Sequence, residues 1–82
     1  MSSVAVLFKV YPKENMLDQA VKEIKEKMKP VGMQVEDLAF GIKVIKVMFK
    51  FDNEKTSSSE FEEGLKRLES VGEIEVEEEG LL

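Results

Sequence analysis

The sequence predicts an α+β fold with the order β-α-β-β-α-β, in which a four-stranded antiparallel sheet carries both helices on one face. Two segments have the 3.6-residue period of amphipathic helices, and four have the alternation of strands. Two of the strands are apolar on both faces and therefore central, whereas the other two resemble edges. This pattern is typical of the ferredoxin-like sandwich with strand order 4-1-3-2. The chain of 82 residues is long enough for one domain only, which we place at residues 1–82.

The first strand and the first helix follow from a change of period near the N-terminus. Residues 4–11 are rich in β-branched and aromatic residues and stop at Pro12, which indicates a strand. Asn15 is the expected N-cap of the helix, and Pro30 with Gly32 ends it. The helical stripe has the spacing i, i+3, i+4, i+7 and i+11 and consists of Leu17, Ala20, Val21, Ile24 and Met28.

The middle of the chain predicts an edge strand followed by a central strand. Residues 33–38 alternate loosely, with Met33 and Val35 expected to face inward. Residues 42–51 form a longer strand whose inward face is apolar throughout. That face carries Ile45, Val47, Phe49 and Phe51. The opposite face mixes apolar and basic residues, namely Ile42, Val44, Met48, Lys46 and Lys50.

The last third predicts a short helix and a charged edge strand. Residues 59–62 fit a capping box that would open the helix. Phe61, Leu65 and Leu68 then lie at i, i+4 and i+7, on one helical face. Residues 73–77 alternate strictly between glutamate and apolar residues, and such charges discourage association between sheet edges.

Composition excludes several classes of function. The chain has neither cysteine nor histidine, so it lacks the usual nucleophiles, general bases and transition-metal ligands. We therefore expect no metal and no cofactor. A net charge of -5 argues against direct binding of nucleic acid. No apolar run approaches the roughly 20 residues of a membrane span, and no signal-peptide pattern is present, so we expect a cytoplasmic protein without membrane contact.

Two surfaces are candidates for contact with a partner. Phe40 stands beside Gly41, whose backbone freedom permits a sharp turn just before the most apolar strand. The ring either folds back onto the core or serves as an exposed anchor for a partner. The second candidate is the sheet face carrying Lys46 and Lys50, which is either a partner surface or a solvated face with lysines extended over apolar neighbours.

Three motifs resemble the guanine-nucleotide exchange domain of the elongation factor 1-beta family in its short archaeal form. They are residues 10–12, residues 39–43 (Ala-Phe-Gly-Ile-Lys) and residues 68–76, and the similarity covers essentially the whole chain. The resemblance implies the ferredoxin-like fold and the release of GDP from elongation factor 1-alpha in its GDP- and magnesium-bound form, without enzymatic bond breaking. It also implies a partner-binding turn comprising Ala39, Phe40, Gly41 and Lys43, in a protein that we expect to be a monomer.

One part of the family pattern has no counterpart here. The family typically carries a basic residue near its C-terminus that approaches the magnesium and phosphate region, whereas no basic residue follows Arg67 in this sequence. The resemblance further implies that Phe40 inserts into a pocket of the GTPase as a wedge. Either another lysine replaces the basic residue, with Lys43 the best placed, or the Phe40 wedge acts alone, or acidic residues compete for the magnesium. The alternative function is a small ferredoxin-like regulatory or ligand-binding module that acts through its open sheet face or its edges.

Overall fold

The computed structural model describes residues 3–81 and contains four strands and two helices. The strands are β1 (Ser3–Pro12), β2 (Gly32–Asp37), β3 (Lys43–Asp52) and β4 (Val71–Leu81). The helices are α1 (Leu17–Glu23), which continues as one π-helical turn (Ile24–Met28), and α2 (Ser58–Lys66). A short 3₁₀ turn (Ala39–Gly41) joins β2 to β3. No helix within these residues is long and apolar enough to cross a membrane.

The sheet has the predicted order. Its strands run β2-β3-β1-β4, which is 4-1-3-2 read from the other edge, and all neighbours are antiparallel. Phe8 in the middle of β1 is opposite Val47 on β3 and opposite Val76 on β4. The fold is therefore the ferredoxin-like α+β sandwich expected from the alternation of the strands.

One hydrophobic core lies between the helices and one face of the sheet. It joins buried residues of both helices to the inward faces of β1 and β3, and includes Val4, Val6, Phe8, Val10, Ala20, Ile24, Ile45, Val47, Phe49, Leu65 and Leu68. Three aromatic contacts lie at its centre. The Phe49 ring stacks on Phe61 with centroids 4.7 Å apart and meets Phe8 edge-on at 5.9 Å, while Phe51 lies 5.3 Å from Phe61.

The starts of both helices differ from the prediction. Asn15 is not the N-cap, because it adopts a left-handed backbone (φ 63°) and Met16 occupies that position. The capping box at residues 59–62 is also wrong, since α2 begins two residues earlier with Ser57 as its N-cap. There the hydroxyl of Thr56 donates a hydrogen bond to the Glu60 carboxylate. At the start of α2 three serines follow one another, and sequence alone does not rank them as caps.

The edges of the sheet also differ from the prediction. β4 extends to Leu81 instead of stopping at residue 77, because it pairs with β1 along nearly its whole length. Val35 lies on the core side of the sheet as predicted, because it is aligned with the buried Ile45, but it is 41% exposed because β2 is the outer strand next to β3. Met33 on the same strand does pack against the core, as expected.

A buried serine links three parts of the chain at one end of the sandwich: the loop after β1, the end of α1 and the turn before β4. Ser70 is fully buried, and its hydroxyl and its amide both donate to the Glu23 carboxylate, the amide at 3.3 Å. Its carbonyl accepts a hydrogen bond of 2.8 Å from the Lys13 amide. The hydroxyl is the main cause that lowers the pKa of Glu23, and the Ser70 amide and Lys27 add to it against the opposing effect of burial. These bonds fix the loop after β1 relative to the turn before β4.

We predict that the link between Glu23 and Ser70 makes stability depend on pH. Folding lowers the pKa of Glu23, so its ionised carboxylate stabilises the folded state. This stabilisation is fully present above the pKa that Glu23 has in the unfolded chain. It is lost as the pH falls through the pKa that Glu23 has in the folded protein. Wild type should therefore melt above Glu23→Gln at pH 7, and the difference should shrink below about pH 4. Thermal melting of both proteins from pH 7 to pH 3 measures this. A difference in melting temperature that does not change with pH would contradict a stabilising role for the ionised Glu23 carboxylate.

Candidate functional site

The turn between β2 and β3 is closed by backbone hydrogen bonds at its base. Asp37 and Lys43 are the last paired residues of the two strands. Just beyond them, the Leu38 amide donates to the Ile42 carbonyl at 2.7 Å, and the Ile42 amide donates to the Ala39 carbonyl at 3.4 Å. β3 consequently begins at Lys43 rather than at Ile42 as predicted. Only three residues, Ala39–Gly41, lie between Leu38 and Ile42, so the turn is tight.

Phe40 at the tip of this turn is both strained and exposed. Its backbone is left-handed (φ 63°, ψ 29°), a conformation that costs an L-residue with a side chain about 1–2 kcal/mol. Its side chain is 99% exposed, so burial of the ring in the core does not offset this cost. Gly41 follows with φ 74°, where glycine is the residue that fits most readily. Strain kept at an exposed position is typical of a functional site.

Apolar surface surrounds the Phe40 turn. Leu38 and Ile42, on either side of it, are both exposed. Beside them an open groove of about 440 Å³ separates the turn from the loop that follows β1. The residues lining the groove are Tyr11, Pro12, Lys13, Glu14, Asn15, Leu17, Gly41, Ile42 and Lys43. The turn and the groove together form a continuous surface, which we call the hairpin end and define as residues 11–17 and 38–43.

Lys43 lies at the base of the turn and is already paired. Its ammonium contacts the carboxylate of Asp37, the residue opposite it on β2. Lys43 is also far from the C-terminal end of β4, because Leu81 is aligned through Val4 with Phe51 at the far end of β3. The separation along the strand is roughly 27 Å at about 3.4 Å per residue. Lys43 therefore does not lie where a basic residue near the C-terminal end of β4 would lie.

The open face of the sheet carries a network of ion pairs. Lys46 lies 3.2 Å from Glu36 and 3.4 Å from Glu77, and Lys9 lies 3.6 Å from Glu77. A β-bulge in β4 opposite Leu7 and Phe8 accompanies the placement of Glu77 between the two lysines. Hydrogen bonding to Glu36 is the main cause that raises the pKa of Lys46, with Glu77 contributing in the same direction. The sequence suggested neither the bulge nor this network.

Met48 and Lys50 are the exposed residues of β3 on the open face. Met48, opposite Leu7, is 39% exposed, and Lys50 is exposed at the end of β3. Val44 on the same face is buried although it lies outside the core cluster. Within residues 3–81 no group of three or more acidic residues is arranged to hold a metal ion. The carboxylates of this face are instead spread along the strands.

A strained and exposed aromatic residue on a tight turn is typical of a surface that contacts another protein. Comparison with known proteins identifies the family. Residues 5–81 match the model of the EF-1 guanine nucleotide exchange domain. The chain belongs to this family, which gives it a guanine nucleotide exchange role in translation elongation.

Several archaeal proteins named elongation factor 1-beta are similar to the chain over nearly all of their length. The one from Thermoplasma volcanium is 30% identical over the whole of both chains. The one from Pyrobaculum arsenaticum is 32% identical over 93% of this chain and 90% of the relative. The one from Pyrobaculum aerophilum is 29% identical with the same coverage. These similarities confirm the resemblance inferred from the sequence motifs.

We predict that Phe40 and Phe49 differ sharply in their contributions to stability. Phe40→Ala should leave the melting temperature nearly unchanged, because the ring has no contacts with the core to lose. Phe49→Ala should cost about 3–5 kcal/mol, since that ring is 2% exposed and stacks on Phe61. Thermal or denaturant unfolding of the two variants measures the difference. A large loss of stability in Phe40→Ala would instead assign the ring to the core.

We also predict that glycine at position 40 is more stable than alanine. Phe40→Gly relieves the left-handed strain, whereas Phe40→Ala retains a Cβ at φ 63°. The glycine variant should therefore unfold at a higher denaturant concentration, by about 1 kcal/mol relative to the alanine variant. Equal stability of the two variants would mean that the turn is not left-handed in solution.

Proposed function

We propose that this domain promotes the release of GDP from elongation factor 1-alpha by binding it through the hairpin end. It acts on the GDP- and magnesium-bound GTPase in the cytoplasm as a monomer, and it breaks no covalent bond. The observation that carries this proposal is Phe40, which is left-handed and 99% exposed within a family of exchange domains. An aromatic ring held in this way is typical of an interface hot spot.

The physical basis is a difference in affinity between two states of the GTPase. A GTPase holds GDP through magnesium and a phosphate-binding loop. A partner that binds the nucleotide-free conformation more tightly than the GDP-bound one lowers the affinity for GDP by the same factor. Insertion of the Phe40 ring into an apolar pocket that is accessible only in the nucleotide-free conformation would supply this difference.

Each residue of the turn has a distinct role in the proposal. Phe40 is the anchor, and the methyl group of Ala39 and the absence of a side chain at Gly41 leave both sides of its ring accessible. Leu38 and Ile42 add an exposed apolar rim. Lys43 completes the surface at its base, where its ammonium contacts Asp37. Because Lys43 lies at the Phe40 end of the sheet, we propose that the Phe40 wedge drives exchange without a second basic residue.

We predict that Phe40→Ala abolishes most of the exchange activity of a folded domain. The loss of a hot spot worth roughly 2 kcal/mol corresponds to binding weaker by about 30-fold. The measurement is release of fluorescent GDP from elongation factor 1-alpha as a function of domain concentration. The matched control is Val31→Ala, which removes another exposed apolar side chain at the opposite end of the sheet and should leave exchange unchanged.

Two results would contradict the proposal, and they have different consequences. If wild-type protein does not accelerate GDP release, the proposed partner is wrong. If wild type is active but Phe40→Ala is equally active, the partner is right and the hairpin end is not the surface that binds it. The open face, with Leu7 and Met48, would then become the candidate.

A further inference from the structure

We propose that Asp37 is a positioning residue for Phe40 and that it acts through its ion pair with Lys43. The inference rests on the proposed function, because it concerns the same turn. The family resemblance implies a role for Lys43 in contact with the partner and none for Asp37. In the structure, the contact that Lys43 makes is with Asp37.

The position of this pair suits it to hold the turn closed. Asp37 and Lys43 are directly opposite each other at the last register position of the β2–β3 hairpin. The next bond outward is the hydrogen bond between the Leu38 amide and the Ile42 carbonyl. Beyond it lie the left-handed residues Phe40 and Gly41. Whatever holds the ends of β2 and β3 together therefore maintains the conformation of the turn.

The left-handed conformation of Phe40 creates the need for such a restraint. A residue with a side chain relaxes to negative φ unless the surrounding structure prevents it. The turn lacks support from the core, since residues 38–42 are all exposed. The hydrogen bonds and the ion pair at its base restrain the turn, so loss of the Asp37 contact should let the ring sample other orientations. An anchor that is less ordered binds more weakly, because the partner must then restrict it.

The pair is exposed, and this sets the size of the expected effect. Exposed ion pairs contribute little to stability and are screened by salt. Breaking this pair should therefore leave the domain folded. We expect exchange to fall roughly two- to fivefold in Asp37→Asn and in Lys43→Met at low salt, with smaller losses at high salt.

A charge swap separates positioning from direct contact with the partner. The double variant Asp37→Lys with Lys43→Asp restores an ion pair across the same register position but reverses the charge at position 43. If the pair positions Phe40, the double variant should recover most of the exchange activity lost in the single variants. If the Lys43 ammonium binds the partner, the double variant should remain defective. Glu62→Gln is the matched control, because it removes the exposed ion pair between Glu62 and Lys66 on α2, and it should exchange like wild type.

Hydrogen exchange of the Leu38 amide provides a readout that does not depend on the GTPase. Its protection should fall in the two single variants and return in the double variant, in parallel with GDP release. The proposal is overturned if the single variants keep wild-type exchange, or if the double variant recovers the protection of Leu38 but not GDP release. If wild-type protein itself fails to release GDP, the proposed function is wrong. Leu38 protection then still decides whether the pair orders the turn.

Discussion

The pairing of β1 with both of its neighbours is the constraint on which the rest of the structure depends. At one end of β1, Val10 is aligned with Ile45 and Ile74; at the other, Val4 is aligned with Phe51 and Leu81. These registers place the β2–β3 turn beside the loop that follows β1, and they place the C-terminal end of β4 at the opposite end of the sheet. The groove, the exposed ring and the ion pair at the base of the turn come together for this reason.

Much of the fold, but less of the site, could be predicted from the sequence. Alternation identified the strands and their order, because a strand apolar on both faces belongs in the middle of a sheet. From the sequence, exposure of the Phe40 ring is one of two alternatives, the other being burial in the core. Its left-handed backbone has no local sequence signal, since φ is set by the geometry with which the turn joins β2 to β3. Likewise, the bulge at Glu77 and the length of β4 depend on pairing with β1, which is distant in the chain. Asp37 lies symmetrically with Lys43 about Phe40, and this spacing is a signal that sequence reasoning missed.

The two candidate surfaces differ in whether their residues already have partners within the domain. On the open face, Lys46 and Lys9 already pair with acids on neighbouring strands, so a partner would have to displace those contacts. At the hairpin end, the Phe40 ring has no such contacts to lose, and the strain of its backbone is already present in the free protein. Binding there requires little reorganisation of the domain, which favours the hairpin end as the partner surface.

The most direct test of this account is to map the bound surface by methyl NMR. The domain would carry labelled leucine, isoleucine and methionine methyl groups and would be titrated with unlabelled, nucleotide-free elongation factor 1-alpha. We predict that the signals of Leu38 and Ile42 shift or broaden first, whereas those of Leu7 and Met48 on the open face do not change. Perturbation of Leu7 and Met48 without any change at Leu38 and Ile42 would contradict it.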